Sequence, residues 1–348
     1  MRCQNVDWIH LFSAYAIHIE YGVGCMKLDS LVKIDRLKKH YSVQWSFFGR
    51  AMASVKAVDG ISLTVNRGET LSIVGESGCG KTTLGRCILN LEKPTEGVIY
   101  FEGRDLQRYQ AAEMRQMRRH MQMIFQDPYS SLNPRKTVSR IVGDAFDIHG
   151  MLNKKERHRR VLELLDIVGL RKEHAQRYPH EFSGGQRQRI GVARALALNP
   201  KLVVADEPVS ALDVSVQAQI LNLLIELQTQ FDLTYVFISH DLSVVRHISN
   251  RVAVMYLGKI VEVGNCRDLF SQPLHPYTEA LISAVPITDR KKRGRRIILV
   301  GDVPSPINPP AGCRFHPRCR YRQSRCQGQE PLLREVNTDR WAACYYPL

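Results

Sequence analysis

Residues 75–82, Gly75-Glu76-Ser77-Gly78-Cys79-Gly80-Lys81-Thr82, follow the pattern GxxxxGK[ST] and are continued by Thr83. A loop of this kind binds phosphate. Gly75, Gly78 and Gly80 let the backbone wrap an anion closely, Lys81 reaches the β- and γ-phosphates, and the Thr82 hydroxyl ligates Mg²⁺. Farther along, Asp206 and Glu207 stand side by side after the apolar run Lys201–Ala205. Strand alternation aims the two carboxylates differently, so Asp206 suits the water shell of Mg²⁺ and Glu207 suits polarising an attacking water. His240 ends a second apolar run, Leu233–Ser239, where an imidazole meets ligands of an α/β sheet. Gln126, after Met121–Phe125, offers a side-chain carbonyl to Mg²⁺ or to a water.

These groups need strands that end together and helices that start beside them. Glu69–Val74 reads as a buried strand before the loop, and Leu84–Leu91 has helical apolar spacing after it. This strand, glycine turn and helix start aim backbone N–H groups and a positive helix end at an anion. Ser183-Gly184-Gly185-Gln186 precedes a second helical run, 187–198. Ser183 fits an N-cap, and the two glycines leave the first-turn amides bare, so a second anion-binding helix end is expected. Two such ends in one chain suggest a nucleotide sandwiched between two copies. Val58–Gly68 and Gly97–Gly103 read as further strands, and residues 136–180 as mostly helical, with the stripe from Val161 ending near Gly169. Tyr41, just ahead of the nucleotide fold, suits stacking on adenine; packing at a strand end is the plainer use of the same ring.

At 348 residues the chain is long enough for one large or two smaller domains, and its 44% hydrophobic and 24% charged content is that of a globular protein. No stretch reaches the roughly 18 apolar residues of a membrane span. The net charge of +15 permits nucleic acid, anionic lipid or acidic partners without choosing among them. Basic runs at 154–160 and 290–296 read first as solvated faces or linkers. Residues 1–25 lack the basic start and unbroken apolar core of a secretory signal. They read as a disordered or non-native extension, with the natural beginning at Met26.

In order and spacing these motifs resemble the ATPase subunit of ABC transporters. Tyr41 matches the A-loop, 75–82 Walker A, Gln126 the Q-loop, 182–186 the LSGGQ signature with Phe182 for Leu, 202–206 Walker B, Glu207 the catalytic glutamate, Ser210–Asp213 the D-loop and His240 the switch histidine. Leu274-His-Pro-Tyr-Thr-Glu-Ala-Leu281, Val303-Pro-Ser-Pro306 and Gly312–Cys319 look like the C-terminal region of dipeptide/oligopeptide importers. The resemblance implies an α/β P-loop NTPase of the ABC type, with a RecA-like core, an antiparallel β subdomain, a helical subdomain and a small loop-rich C-terminal lobe. It divides the chain into 26–270 and 271–348. It also implies ATP held by Tyr41, residues 75–83 (Gly75, Glu76, Ser77, Gly78, Cys79, Gly80, Lys81, Thr82, Thr83) and Ser183, Gly184, Gly185 and Gln186. Mg²⁺ falls to Thr82, Gln126 and Asp206, and catalysis to Glu207, His240, Gln126 and Lys81. The implied subunit sits on the cytoplasmic face of the cell membrane with a second ATPase, expected to be a different chain, and two permeases, fed by an external solute-binding protein. No nucleic acid is expected.

Cys313, Cys319, Cys326 and Cys344 are spaced C-x5-C-x6-C-x17-C in a stretch with little apolar content, where a bound metal would supply stability. The family pattern implies an iron–sulfur cluster, 4Fe–4S, on the four thiolates; zinc suits the same set, and four free thiols is the third reading. Cys79, beside the phosphates, is expected to confer sensitivity to thiol reagents. The competing function is an ABC-type ATPase acting on nucleic acid, favoured by the charge and a zinc lobe. The short stretch between Gln126 and Ser183 leaves no room for a DNA-binding insertion, and basic–aromatic interleaving is missing.

Overall fold

The structure is a computed structural model and describes residues 30–45, 51–285 and 296–348. The segment 1–25, Met26 and most of the basic run 290–296 lie outside the described residues.

The described residues open with two long strands, β1 (Ser30–Trp45) and β2 (Ala51–Asn66), and then the short buried β3 (Thr70–Val74). Helix α1 (Lys81–Ile88) follows, then β4 (Glu96–Phe101), β5 (Arg104–Asp105), α2 (Ala111–Met117) and β6 (Met121–Ile124). A helical stretch comes next: α3 (Pro128–Ser131), α4 (Val138–His149), α5 (Lys154–Ile167) and α6 (Gly184–Leu196). Strand and helix then alternate through β7 (Leu202–Asp206), α7 (Val214–Phe231), β8 (Thr234–Ser239) and α8 (Leu242–Ile248). Last come β9 (Arg251–Tyr256), β10 (Lys259–Asn265), α9 (Cys266–Ser271), α10 (Pro276–Ser283), α11 (Arg325–Gly328), β11 (Arg334–Asn337) and β12 (Arg340–Ala342).

Two sheets result. One is antiparallel, in the order β2-β1-β4-β5; the other has eight strands in the order β11-β12-β10-β9-β3-β8-β7-β6. In the larger sheet β9, β3, β8, β7 and β6 run parallel. Their near-continuous apolar sequences follow from cover on both faces. Because they are parallel, the segments after β3, β6, β7 and β8 emerge at one edge. Those segments hold Gly75, Gln126, Glu207 and His240.

Among the described residues the buried side chains form three packed clusters. The helical stretch packs Val161, Leu164, Leu165 and Val168 into one face of the sheet. These four residues are the stripe read from the sequence, and it ends at Gly169 with φ 73°. The antiparallel sheet and α1 share a second cluster through Leu37, Val58, Leu84 and Ile88. Tyr256, Tyr277 and Phe315 centre the third, on the β9–β10 side.

The C-terminal region is not a detached lobe. Strand β12 pairs with β10 through Glu262↔Ala342 and Val263↔Trp341, and β11 pairs with β12. Phe315 is 1% exposed against Tyr256 and Tyr277, with ring centroids 5.3 Å from each. The cassette sheet and its aromatic cluster thus supply part of the scaffold of this stretch, which has little apolar content of its own.

The Leu274–Leu281 motif has a physical basis here. His275 caps α10 by accepting from the Tyr277 N–H at 3.1 Å, and Pro276 takes the first helical position, where its missing N–H is harmless. Glu262, 1% exposed, accepts from the Leu274 and His275 amides at 2.9 and 2.8 Å and lies 3.6 Å from the Arg340 guanidinium. Burial pushes His275 down to about 3, so its ring is neutral and free to accept.

A candidate ATP site

The phosphate loop is pinned from below. A Cβ on Gly80, where φ is 106°, would stand 1.9 Å from the Ala57 carbonyl oxygen, and one on Gly75 would stand 2.1 Å from that of Met255. Only glycine fits either position. Lys81, 5% exposed, donates from Nζ to the carbonyls of Gly75 at 2.8 Å and Glu76 at 3.0 Å. The ammonium therefore sits inside the turn of the loop, where incoming phosphate oxygens would replace the carbonyls. Thr82 Oγ1 donates to Asp206 Oδ1 at 3.0 Å, which joins the two residues read as Mg²⁺ contacts. Burial raises the Asp206 carboxyl, the Thr82 bond pulls it back, and the charge of Glu207 adds to the rise. A divalent cation at this point would reverse that balance.

At the same edge Glu207 links the other two residues. It accepts from Gln126 Nε2 at 2.9 Å through one oxygen, and its other oxygen is 3.0 Å from His240 Nδ1. Its backbone is in the left-handed region, φ 45°, with its amide donating to Ile238 O at 2.9 Å. This strained turn ends the strand, and the two neighbouring carboxylates meet different partners, Asp206 the Thr82 hydroxyl and Glu207 the side chains of Gln126 and His240. The His240 side chain is 56% exposed and that of Glu207 15%. A half-buried carboxylate with one exposed imidazole and one amide on its two oxygens can hold and polarise a water.

Tyr41 lies on β1, exposed on one side, with Lys39 Nζ 5.0 Å from its ring centroid. Its hydroxyl donates to Glu92 and lies beside the Thr83 hydroxyl of α1. Burial first and the Glu92 bond second push it up to about 12. The ring thus stands beside the start of α1, and Glu92 is the partner that sequence reading did not find.

The second helix end is built differently. Ser183 Oγ accepts from the Gln186 amide at 3.4 Å, and Gln186 Oε1 accepts from the Ser183 amide at 3.1 Å, a reciprocal cap. Gly185 is buried under Val216, where a Cβ would come within 2.4 Å. Ser183 itself is exposed. Phe182, 5% exposed, packs edge-on against His174 at 5.3 Å, so the larger ring is housed in the helical stretch. Among the described residues no hydrogen bond or ion pair joins Ser183–Gln186 to the phosphate loop. Arg187 stacks on the Tyr129 ring at 3.8 Å, tying α6 to the segment after Gln126.

Cys79 departs from expectation. It is 5% exposed, and burial raises its thiol pKa despite Lys81 nearby. A protonated, covered thiol is a poor nucleophile. Both features argue against the expected sensitivity to thiol reagents.

Cys313, Cys319, Cys326 and Cys344 line one small cavity with His275, Tyr321 and Tyr346 around them. Burial pushes Cys313 up to about 12, and it raises Cys319 and Cys344 as well, with neighbouring thiols adding to each rise. Among the described residues no three His, Cys, Asp or Glu converge closely enough to hold a single metal ion.

Comparison with known proteins places this geometry. The "ABC transporter" family model matches residues 58–210, and "Oligopeptide/dipeptide transporter, C-terminal region" matches 261–326. "Oligopeptide transport ATP-binding protein AppF" of Bacillus subtilis is 53% identical over 322 residues, covering 91% of this chain and 97% of that protein. The chain belongs to the ABC transporter ATP-binding subunits. "Dipeptide transport ATP-binding protein DppF" of Escherichia coli is 50% identical over 315 residues, covering 90% of this chain and 94% of its own. Among solved structures, the dimeric ABC transporter cassette MJ0796 has a TM-score of 0.61 at 31% identity, covering 68% of this chain and 99% of that one. The cassette fold, with its P-loop NTPase core, is that of this ABC subunit, and the family hydrolyses ATP. Among the described residues no helix is long and apolar enough to cross a membrane.

Proposed function

We propose that this chain is the ATP-hydrolysing subunit of a dipeptide/oligopeptide importer, powering transport by closing on a partner ATPase. The observation that carries the reading is the Gln126–Glu207–His240 constellation at the sheet edge that also presents Lys81 and Thr82. Peptide cargo is supported by relatives named for oligopeptide and dipeptide transport over most of their length, and by the matched C-terminal region. The nucleotide sits on residues 75–83 with adenine by Tyr41, and Thr82, Asp206 and Gln126 would hold Mg²⁺. When bound, Mg²⁺ neutralises charge between the phosphates. Glu207 orients and deprotonates water, and His240 contacts the γ-phosphate. Ser183–Gln186 face the nucleotide of the partner, as expected for a cassette whose structural relative is dimeric and was seen with ADP and Pi. We place the subunit on the cytoplasmic face of the cell membrane, against two permeases served by an external solute-binding protein. The cassette is bounded at 26–270 and the peptide-transporter region at 271–348. Glu207→Gln in the assembled transporter should bind ATP normally and lose about 10²–10⁴-fold in hydrolysis and peptide uptake. Wild-type turnover in that variant would move the base elsewhere, and uptake of no peptide by an active ATPase would remove the cargo assignment.

A second reading concerns the four cysteines. They line one cavity, and four thiolates are a donor set for an iron–sulfur cluster as they are for tetrahedral zinc. The cysteines would hold a 4Fe–4S cluster through Cys313, Cys319, Cys326 and Cys344, which would supply stability to the loops between them. Anaerobically purified protein should contain about four iron and four sulfide per chain, lost in Cys313→Ser; zinc or no metal would overturn the assignment.

A further inference from the structure

Glu76, the second residue of the phosphate loop, is held by two side chains from the far end of the sequence. Arg318 donates to both its carboxylate oxygens, Nη1 to Oε2 at 2.8 Å and Nη2 to Oε1 at 3.1 Å. The Tyr277 hydroxyl accepts from the Glu76 amide at 2.9 Å. Arg318 lies between Cys313 and Cys319; its side chain is 8% exposed, and it also reaches the Tyr256 hydroxyl at 3.5 Å. The main-chain carbonyl of Glu76 is meanwhile an acceptor for Lys81 Nζ. Every polar group of Glu76 therefore has a fixed partner.

A carboxylate in a phosphate-binding loop is a liability. Its charge opposes the triphosphate, and it competes with phosphate for the loop amides and for Lys81. The bidentate guanidinium neutralises that charge and turns it toward the C-terminal region, in a geometry that an ammonium cannot reproduce. We propose that Arg318 is a positioning residue for nucleotide binding, keeping the Glu76 carboxylate out of the phosphate cradle from a region outside the cassette motifs. It acts on the loop that binds ATP and not on the groups that handle water. This rests on the nucleotide-binding reading of residues 75–83.

The test is ATP affinity and steady-state hydrolysis of the full chain, assembled with its partner subunits, in a double-mutant cycle. Arg318→Ala should raise the Kd and KM for ATP about tenfold while kcat stays within about twofold, and Arg318→Lys should fall between. In a Glu76→Gln background the same Arg318→Ala change should alter Kd by less than about twofold, because the charge to be restrained is gone. An unchanged Kd in Arg318→Ala overturns the proposal, as does an equal loss in the Glu76→Gln background, which would make Arg318 a packing residue. If Arg318→Ala does not fold, Arg318→Lys alone decides: wild-type Kd in that variant overturns the proposal. Lys81→Ala separates the two levels. A wild-type chain that binds ATP no better than Lys81→Ala removes the nucleotide reading itself, whereas a Lys81-dependent site indifferent to Arg318 removes only this inference.

Discussion

The two glycine-rich helix starts, at Lys81 and at Gly184, share a chemistry and differ in how much of their surroundings this chain provides. At α1 the loop is pinned on its inner side: Lys81 is tucked onto two carbonyls, Thr82 is bonded to Asp206, and Glu76 is gripped from Arg318 and Tyr277. At α6 the cap is self-contained, Ser183 and Gln186 satisfying each other, and Ser183 faces out. Both starts need glycine for close approach, but at α1 the neighbours are main-chain carbonyls of Ala57 and Met255, and at α6 the neighbour is the Val216 side chain. One end is thus a binding site finished within the chain, and the other is a surface finished by something else. On the proposed function the two halves are unequal, one for holding a nucleotide and one for meeting the nucleotide that a partner holds.

Separating the halves is the sharpest way to break this contrast. Lys81→Ala should cost about 3 kcal/mol in ATP binding, roughly 100-fold in Kd, even in the isolated subunit. Ser183→Arg should leave that Kd within about twofold and abolish hydrolysis in the assembled transporter, since a bulky cation at the exposed end blocks closure. Binding measured by titration calorimetry beside phosphate release checks both. Equal loss of binding in the two variants would mean that the α6 end belongs to the same nucleotide. A smaller effect tests how closed the α1 end is. Alkylating native protein should modify Cys79 far more slowly than denatured protein and leave ATPase activity within about twofold, read by mass spectrometry of the peptide containing Cys79. Rapid labelling with loss of activity would show the loop to be open.

How much of this was legible in the sequence depends on the reach of each contact. The phosphate loop, the Ser183 cap and the ends of β7 and β8 are local matters of a few residues, and glycine spacing and apolar runs announced them. The long helical stripe at Val161–Val168 was legible for the same reason, its period matching its buried face. The Glu76–Arg318 pair spans 242 positions, and nothing in either neighbourhood announces the other. The β11–β12 hairpin was also missed: its strands are four and three residues long, and the pattern of alternation needs more than that to be seen. The four cysteines were noticed for their crowding, but the sequence could not reveal that Phe315 between them is a core residue of the cassette. For Cys79 the motif signalled proximity to phosphate and was silent on burial, which is what decides reactivity.

The pairing of β12 with β10 carries a consequence for how the polypeptide is made. A ribosome delivers residues 259–265 well before residues 340–342, by several seconds at ordinary elongation rates of about 5–20 residues per second. During that interval the last cassette strand presents open N–H and C=O groups along one side, the kind of border on which nascent chains pair wrongly. Only when Trp341 and Ala342 arrive does the border close, and the same arrival brings Arg340 to the buried Glu262. Closure of this sheet border is therefore a late event in the life of the nascent chain, timed by the arrival of its last strands.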